Sequence, residues 1–169
     1  MKKFILSILV LSTSFLMAQN SEITTKNSWI KLGATAGIPV GDIHDASNFT
    51  AGLEVRGQYL VKPYLGLGIA TGYNHYFGKD EVDDFGTIPL AATVRVYPSR
   101  KGVFLGMDAG YSFVTNVDDI DGGLYINPQL GYHNYDWNIY AHFQKTFNDG
   151  PSIQNVGIGA TYNIRFIYN

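Results

Sequence analysis

Four histidines and a set of closely spaced carboxylates are the side chains of this sequence best suited to chemistry. His44 stands between Asp42 and Asp45, and His75 precedes the run Asp80, Glu81, Asp83, Asp84, so either could form the His–Asp pair used in proton transfer. Neither a Gly-x-Ser-x-Gly elbow nor a His-Glu-x-x-His metal pair occurs, and histidine beside aspartate in a polar loop is common by chance; the expectation is no enzyme. The carboxylates suggest a second chemistry. Asp80, Glu81, Asp83 and Asp84, then Asp118, Asp119 and Asp121, carry the oxygen ligands that a hard cation such as Ca2+ or Mg2+ takes. Asp119-Ile120-Asp121-Gly122 faintly resembles part of a calcium loop, but the other ligand positions and the terminal glutamate are missing. Loose cation binding at these candidate loops is therefore the most that is expected, with no cofactor otherwise. No cysteine is present, which excludes disulfides, thiolate zinc sites and thiol chemistry. A third group is set apart by its surroundings: Lys31, Glu54, Arg56, Arg95, Asp108 and Arg165 interrupt stretches made of glycine, small polar and apolar residues.

Those stretches have a period of two. Ile30, Leu32, Ala34 and Ala36 alternate with Lys31, Gly33 and Thr35; Leu53 to Val61 alternate with Glu54, Arg56 and Gln58; Leu65 to Tyr73 alternate with Gly66, Gly68 and Gly72. Ile88 to Val96 oppose Thr87, Ala91, Thr93 and Arg95, and Leu105 to Phe113 oppose Gly106, Asp108, Gly110 and Ser112. The pattern continues through Leu124–Tyr132, Trp137–Phe143 and Val156–Phe166, with Asn127, Gln129, His142 and Arg165 on the polar side. Strict alternation predicts strands and an all-β fold. Short links are predicted at Lys62-Pro63, Pro98–Gly102 and Tyr135-Asp136, and long loops at Ile38–Phe49, Phe77–Phe85, Thr115–Gly123 and Phe147–Ser152.

Residues 1–18 begin Met1-Lys2-Lys3, continue in an apolar run and end at Ala18, which is the layout of a cleaved secretory signal peptide; 19–27 is a short polar segment, and 28–169 is a single β domain. Cleavage removes Lys2 and Lys3, leaving ten basic against fourteen acidic side chains, a formal charge of −4. No basic field is present to attract nucleic acid. Ten of the fourteen acids fall in the four long loops, while Lys62, Arg100 and Lys101 mark the opposite rim. Charged residues make up only 15% of the chain, and the polar face of the strands holds mostly Gly, Ala, Ser, Thr, Asn and Gln. A water-facing surface carries more charge than that, so the apolar face is predicted to point outward, into lipid. Strands of roughly 10 residues are long enough to cross a bilayer at a tilt. Trp29, Tyr59, Tyr73, Tyr97, Phe113, Tyr132, Trp137 and Phe166 are predicted to form interfacial girdles on that face.

Eight alternating segments joined by short and long links in turn resemble the small outer-membrane β-barrel family, the OmpA/OmpX-type eight-stranded barrels and their porin-like relatives, over nearly the whole mature chain. The family usually ends on an aromatic residue; here Phe166 and Tyr168 alternate correctly and Asn169 follows. The resemblance implies an eight-stranded antiparallel up-and-down transmembrane barrel in the bacterial outer membrane. Its implied partners are membrane lipid, lipopolysaccharide and the barrel-assembly machinery. It also implies a lumen charge network of Lys31, Glu54, Arg56, Arg95, Asp108 and Arg165 acting as a plug. A closed structural or interaction barrel displaying acidic loops is the leading expectation. A narrow porin-like channel is the alternative, with an outer-membrane enzyme or a soluble periplasmic barrel behind it. The natural ligand is not legible in the sequence.

Overall fold

In the computed structural model the residues described are 29–79, 82–99, 101–117, 120–134 and 136–165. The signal peptide and the 19–27 segment lie outside them, as do Phe166 and the side chain of Arg165. Eight strands follow one another: β1 (Trp29–Val40), β2 (Ser47–Lys62), β3 (Leu65–Gly78), β4 (Phe85–Val96), β5 (Gly102–Thr115), β6 (Gly122–His133), β7 (Trp137–Phe147) and β8 (Ile153–Arg165). Each pairs antiparallel with its sequence neighbour, and β1 closes on β8 from Trp29↔Arg165 to Val40↔Gln154. Closure removes the sheet edges, so every strand has partners on both sides.

The strands run further than alternation alone suggested. The loops expected at Ile38–Phe49, Phe77–Phe85 and Thr115–Gly123 shrink to 41–46, 79–84 and 116–121, because the antiparallel ladders continue to the turns: Phe49 still faces Phe77, and Phe113 faces Gly122. Compact turn chemistry makes this feasible. Gly41, at φ 68°, swings the chain out of β1 into a single 3-10 turn, Gly41–Ile43. At the other end Asn134 Oδ1 accepts from the backbone N–H groups of Asp136 (2.9 Å) and Trp137 (2.8 Å), an Asx turn that joins β6 to β7. Proline interrupts two ladders. The β3–β4 ladder lapses between Leu90↔Thr71 and Thr87↔Asn74, beside Pro89, which supplies no N–H, and the β6–β7 ladder lapses similarly beside Pro128; the register is the same on either side of each gap.

The barrel is inside out. Among the described residues buried polar and charged side chains outnumber buried apolar ones about two to one, while Leu53, Ile69, Leu105, Ile139 and Ile158 stand more than half exposed on the outer wall. Soluble monomers rarely expose apolar patches beyond a few hundred Å²; here the patch is a belt around the whole barrel. Aromatic rings bound it on both sides. Tyr59, Tyr64, Tyr132, Trp137 and Tyr162 project outward near the short turns, and Phe49, Tyr73, Phe77, Tyr111, Phe113 and Phe147 near the longer loops. Trp29 and Tyr97 do not join these girdles. They share the parity of Lys31 and Arg95, and Tyr97, at 3% exposure, turns into the lumen.

Candidate functional site: a lumen closed at three levels

At mid-height a charge network crosses the lumen. Glu54 and Arg56, two residues apart on β2, share the inner face because strand side chains alternate. Arg56 reaches across the barrel, donating from Nη2 to Glu54 Oε2 (2.8 Å), from Nη1 to Asp108 Oδ1 on β5 (2.6 Å), and to Thr93 Oγ1 (3.4 Å). The second Asp108 oxygen accepts from Asn127 (3.0 Å) and Gln129 (2.7 Å), and Glu54 Oε1 accepts from the Tyr140 hydroxyl. Two carboxylates around one guanidinium, with each of the four carboxylate oxygens accepting a hydrogen bond, is an arrangement that makes buried charge tolerable. Beside it a small cavity, with about 10 Å³ for the centre of a water molecule, is lined by Glu54, Arg56, Asp108, Asn74, Tyr125 and Gln144 among others. That is room for roughly one water.

Toward the short turns the lumen is filled by Leu60, Tyr97, Phe104 and Tyr140, with Trp29 packed against them. Arg95 lies over this cluster, its guanidinium 4.7 Å from the Phe104 ring centre and 5.5 Å from that of Tyr140. Lys31 sits at the same end, its Nζ donating to Tyr97 Oη (2.9 Å) and Asn138 Oδ1 (3.1 Å). Thus Glu54, Arg56 and Asp108 are brought together, while Lys31 and Arg95 are held by hydroxyl, amide and ring partners, with no ion pair among the described residues. His142 lies inside, opposite Gln129 in register.

Toward the longer loops a second apolar cluster closes the mouth. Tyr76 and Phe85 stack at 4.7 Å between ring centres, and Ile153 and Ile43 pack with them. Ile43 is delivered by the 3-10 turn, which is tied down at Asp42: its Oδ2 accepts from the Ser152 hydroxyl (2.9 Å) and backbone N–H (3.0 Å). Those bonds, the hydroxyl's first, hold the Asp42 carboxyl below the usual carboxylate range. Lys79 fastens the same loop through its Nζ to His44 O (2.8 Å). These two plugs are absent from the sequence reading. The available signal was parity, since Tyr76, Phe104, Tyr125 and Tyr140 all occupy inward positions in their strands.

On the outer rim His44 contacts Asp45 (3.1 Å), and His75 contacts Asp84 (3.0 Å) while its other ring nitrogen meets the Tyr73 hydroxyl (3.3 Å). The Gly78 N–H, ahead of His75, lowers the Asp84 carboxyl from its ordinary value. Of the acidic loop residues, Asp80, Glu81, Asp118 and Asp119 lie outside the described residues. Among those described, no three His, Asp or Glu side chains converge as a metal cage would need.

An apolar outer wall, aromatic girdles, a polar interior and antiparallel closure define a transmembrane β-barrel with a filled lumen. The solved structures it is similar to have the same fold. Ail, the attachment invasion locus protein of Yersinia pestis, aligns with a TM-score of 0.60 at 15% identity, over 83% of this chain and 100% of that one. The N-terminal barrel domain of Pseudomonas aeruginosa OprF aligns at 0.53 with 12% identity, over 83% and 100%. A de novo designed transmembrane β-barrel aligns at 0.52 with 18% identity, over 82% and 98%. No protein-family model and no curated sequence matches the chain.

Proposed function

We propose that this chain is a bacterial outer-membrane protein, exported with a cleaved signal peptide, whose barrel is a closed scaffold and neither a pore nor an enzyme. The observation that carries the reading is the double seal: Tyr76, Phe85, Ile43 and Ile153 at one mouth, and Leu60, Tyr97, Phe104 and Tyr140 at the other, with Arg56 and its two carboxylates between them. An eight-stranded barrel is just wide enough for its own side chains to fill. Lipid and lipopolysaccharide surround the belt, and the barrel-assembly machinery inserts it. The loops, each about six residues, place the acidic rim close to the membrane surface. Ail has been crystallised with the heparin analogue sucrose octasulfate. The rim here is acidic, so a sulfated polyanion is not the ligand we assign to it.

Single-channel recording in a planar bilayer tests this reading. The wild-type barrel is expected to be silent. Removing one plug, by Tyr76→Ala with Phe85→Ala or by Phe104→Ala with Tyr140→Ala, should leave it silent because the other plug and the Arg56 network still close the lumen; removing both plugs together with that network, by adding Arg56→Ala, should produce conductance steps. Reproducible wild-type steps would overturn the closed scaffold in favour of a narrow channel.

A further inference from the structure

Among the described residues the lumen holds three basic side chains, Lys31, Arg56 and Arg95, against two acidic ones, Glu54 and Asp108, and Arg56 takes both acids. Arg56 is matched by Glu54 and Asp108, whereas Arg95 and Lys31, both fully buried, have no carboxylate partner among the described residues. Arg95 donates once, from Nη2 to Gln129 Oε1 (2.7 Å); its Nε and Nη1 are buried and have no hydrogen-bond partner. Gln58 Nε2 is in the same condition, in a side chain only 4% exposed. Both side chains rise from the same stretch of the inner wall, with Gly66 between them. The Gln58 amide lies over Gly66, where an added Cβ would stand 2.6 Å from Nε2, and Gly66 is the register partner of Arg95.

The direction of the hydrogen bonds decides what this place accepts. Lys31 can only donate, and it donates to the Tyr97 hydroxyl. That hydroxyl in turn gives its proton to Gln58 Oε1 (2.9 Å). The carbonyl end of Gln58 is thereby committed, and its NH2 is left without an acceptor, as are Nε and Nη1 of Arg95, which also only donate. Any partner these groups share must accept. Arg95, a buried cation with no carboxylate within hydrogen-bonding reach, adds a preference that it be negative. Phe104 and Tyr140 wall the place with rings, which leaves it suited to a small, weakly hydrated ion.

We propose that Arg95 Nε and Nη1, with Gln58 Nε2, form a binding site for a small monovalent anion such as chloride in the short-turn third of the lumen. The site depends only on the folded barrel, and it stands whether or not the lumen conducts.

The test uses the intact protein in detergent, prepared without chloride. Its heat-induced gel-shift midpoint is measured in sodium gluconate and in sodium bromide at equal ionic strength, and crystals are soaked in bromide for anomalous diffraction. The expected result is a higher midpoint in bromide, rising with its concentration, and an anomalous peak within hydrogen-bonding reach of Arg95 and Gln58. Arg95→Met and Gln58→Leu should each abolish the bromide dependence, while Lys62→Met on the rim keeps it. Should Arg95→Met not fold, Gln58→Leu carries the comparison. Equal wild-type midpoints in the two salts, a bromide peak elsewhere only, or an ordered water at the site that bromide does not replace would each overturn the proposal.

Discussion

Replacing Arg56 with methionine removes the one cation that two buried carboxylates share and keeps most of the side chain's volume. Arg56 is 2% exposed and Asp108 1%, with contacts of 2.8 Å to Glu54 and 2.6 Å to Asp108, so bulk solvent does not reach them and only the small cavity beside them could admit a water to absorb the loss. Breaking a buried ion pair from one side costs about 3–5 kcal/mol. Two carboxylates are stranded here, which places Arg56→Met at the upper end, about 5 kcal/mol. Asp108→Asn removes one acid and leaves Arg56 with Glu54, so its cost should lie at the lower end, about 3 kcal/mol. Removing all three charges together, by Arg56→Met with Glu54→Gln and Asp108→Asn, also removes the desolvation penalty and should recover most of the loss. Urea unfolding from lipid vesicles, followed by the fluorescence of Trp29 and Trp137, measures all three. An Arg56→Met barrel within about 1 kcal/mol of wild type, the range of a solvated pair, would refute the reasoning. So would a triple variant no more stable than Arg56→Met, since the penalty would then not be one of uncompensated charge.

Two further outcomes follow from the outer wall and the loop anchor. Leu90 faces outward at mid-strand, 54% exposed; Leu90→Arg should cost about 2–4 kcal/mol in vesicles while Tyr64→Arg, at the girdle, costs about 0–1 kcal/mol, and equal costs in the same unfolding assay would contradict the membrane belt. Asp42 has a depressed folded pKa, so its anchoring contribution is complete above the ordinary carboxylate value of about 3.9 and is lost as pH falls through the lower folded value. The protection factor of the Ser152 amide should therefore fall below about pH 4 in wild type and be low at all pH in Asp42→Asn; protection independent of both would show that the 3-10 turn is anchored elsewhere.

Much of this architecture is a local property of the chain. Alternation at Leu53, Val55 and Tyr59 against Glu54, Arg56 and Gln58 assigns a face to each residue without knowledge of any partner, because a strand turns successive side chains to opposite sides. The small, charge-poor character of one face then decides which side meets lipid. For that reason the strand number, the inside-out packing and the inward positions of Lys31, Glu54, Arg56, Arg95 and Asp108 were all legible. Strand ends were less so, since Phe49 and Phe77 extend their ladder only because each has the other to pair with. Trp29 and Tyr97 were placed by their aromatic character when their parity pointed inward. Which inward groups meet was beyond the sequence altogether. Arg56 and Asp108 are 52 residues apart and touch because closure sets β2 and β5 across one lumen; the same closure leaves Arg95 and Lys31 among rings and amides. Partnership across a barrel depends on register and stagger summed over every intervening strand, and those are set only when β8 returns to β1.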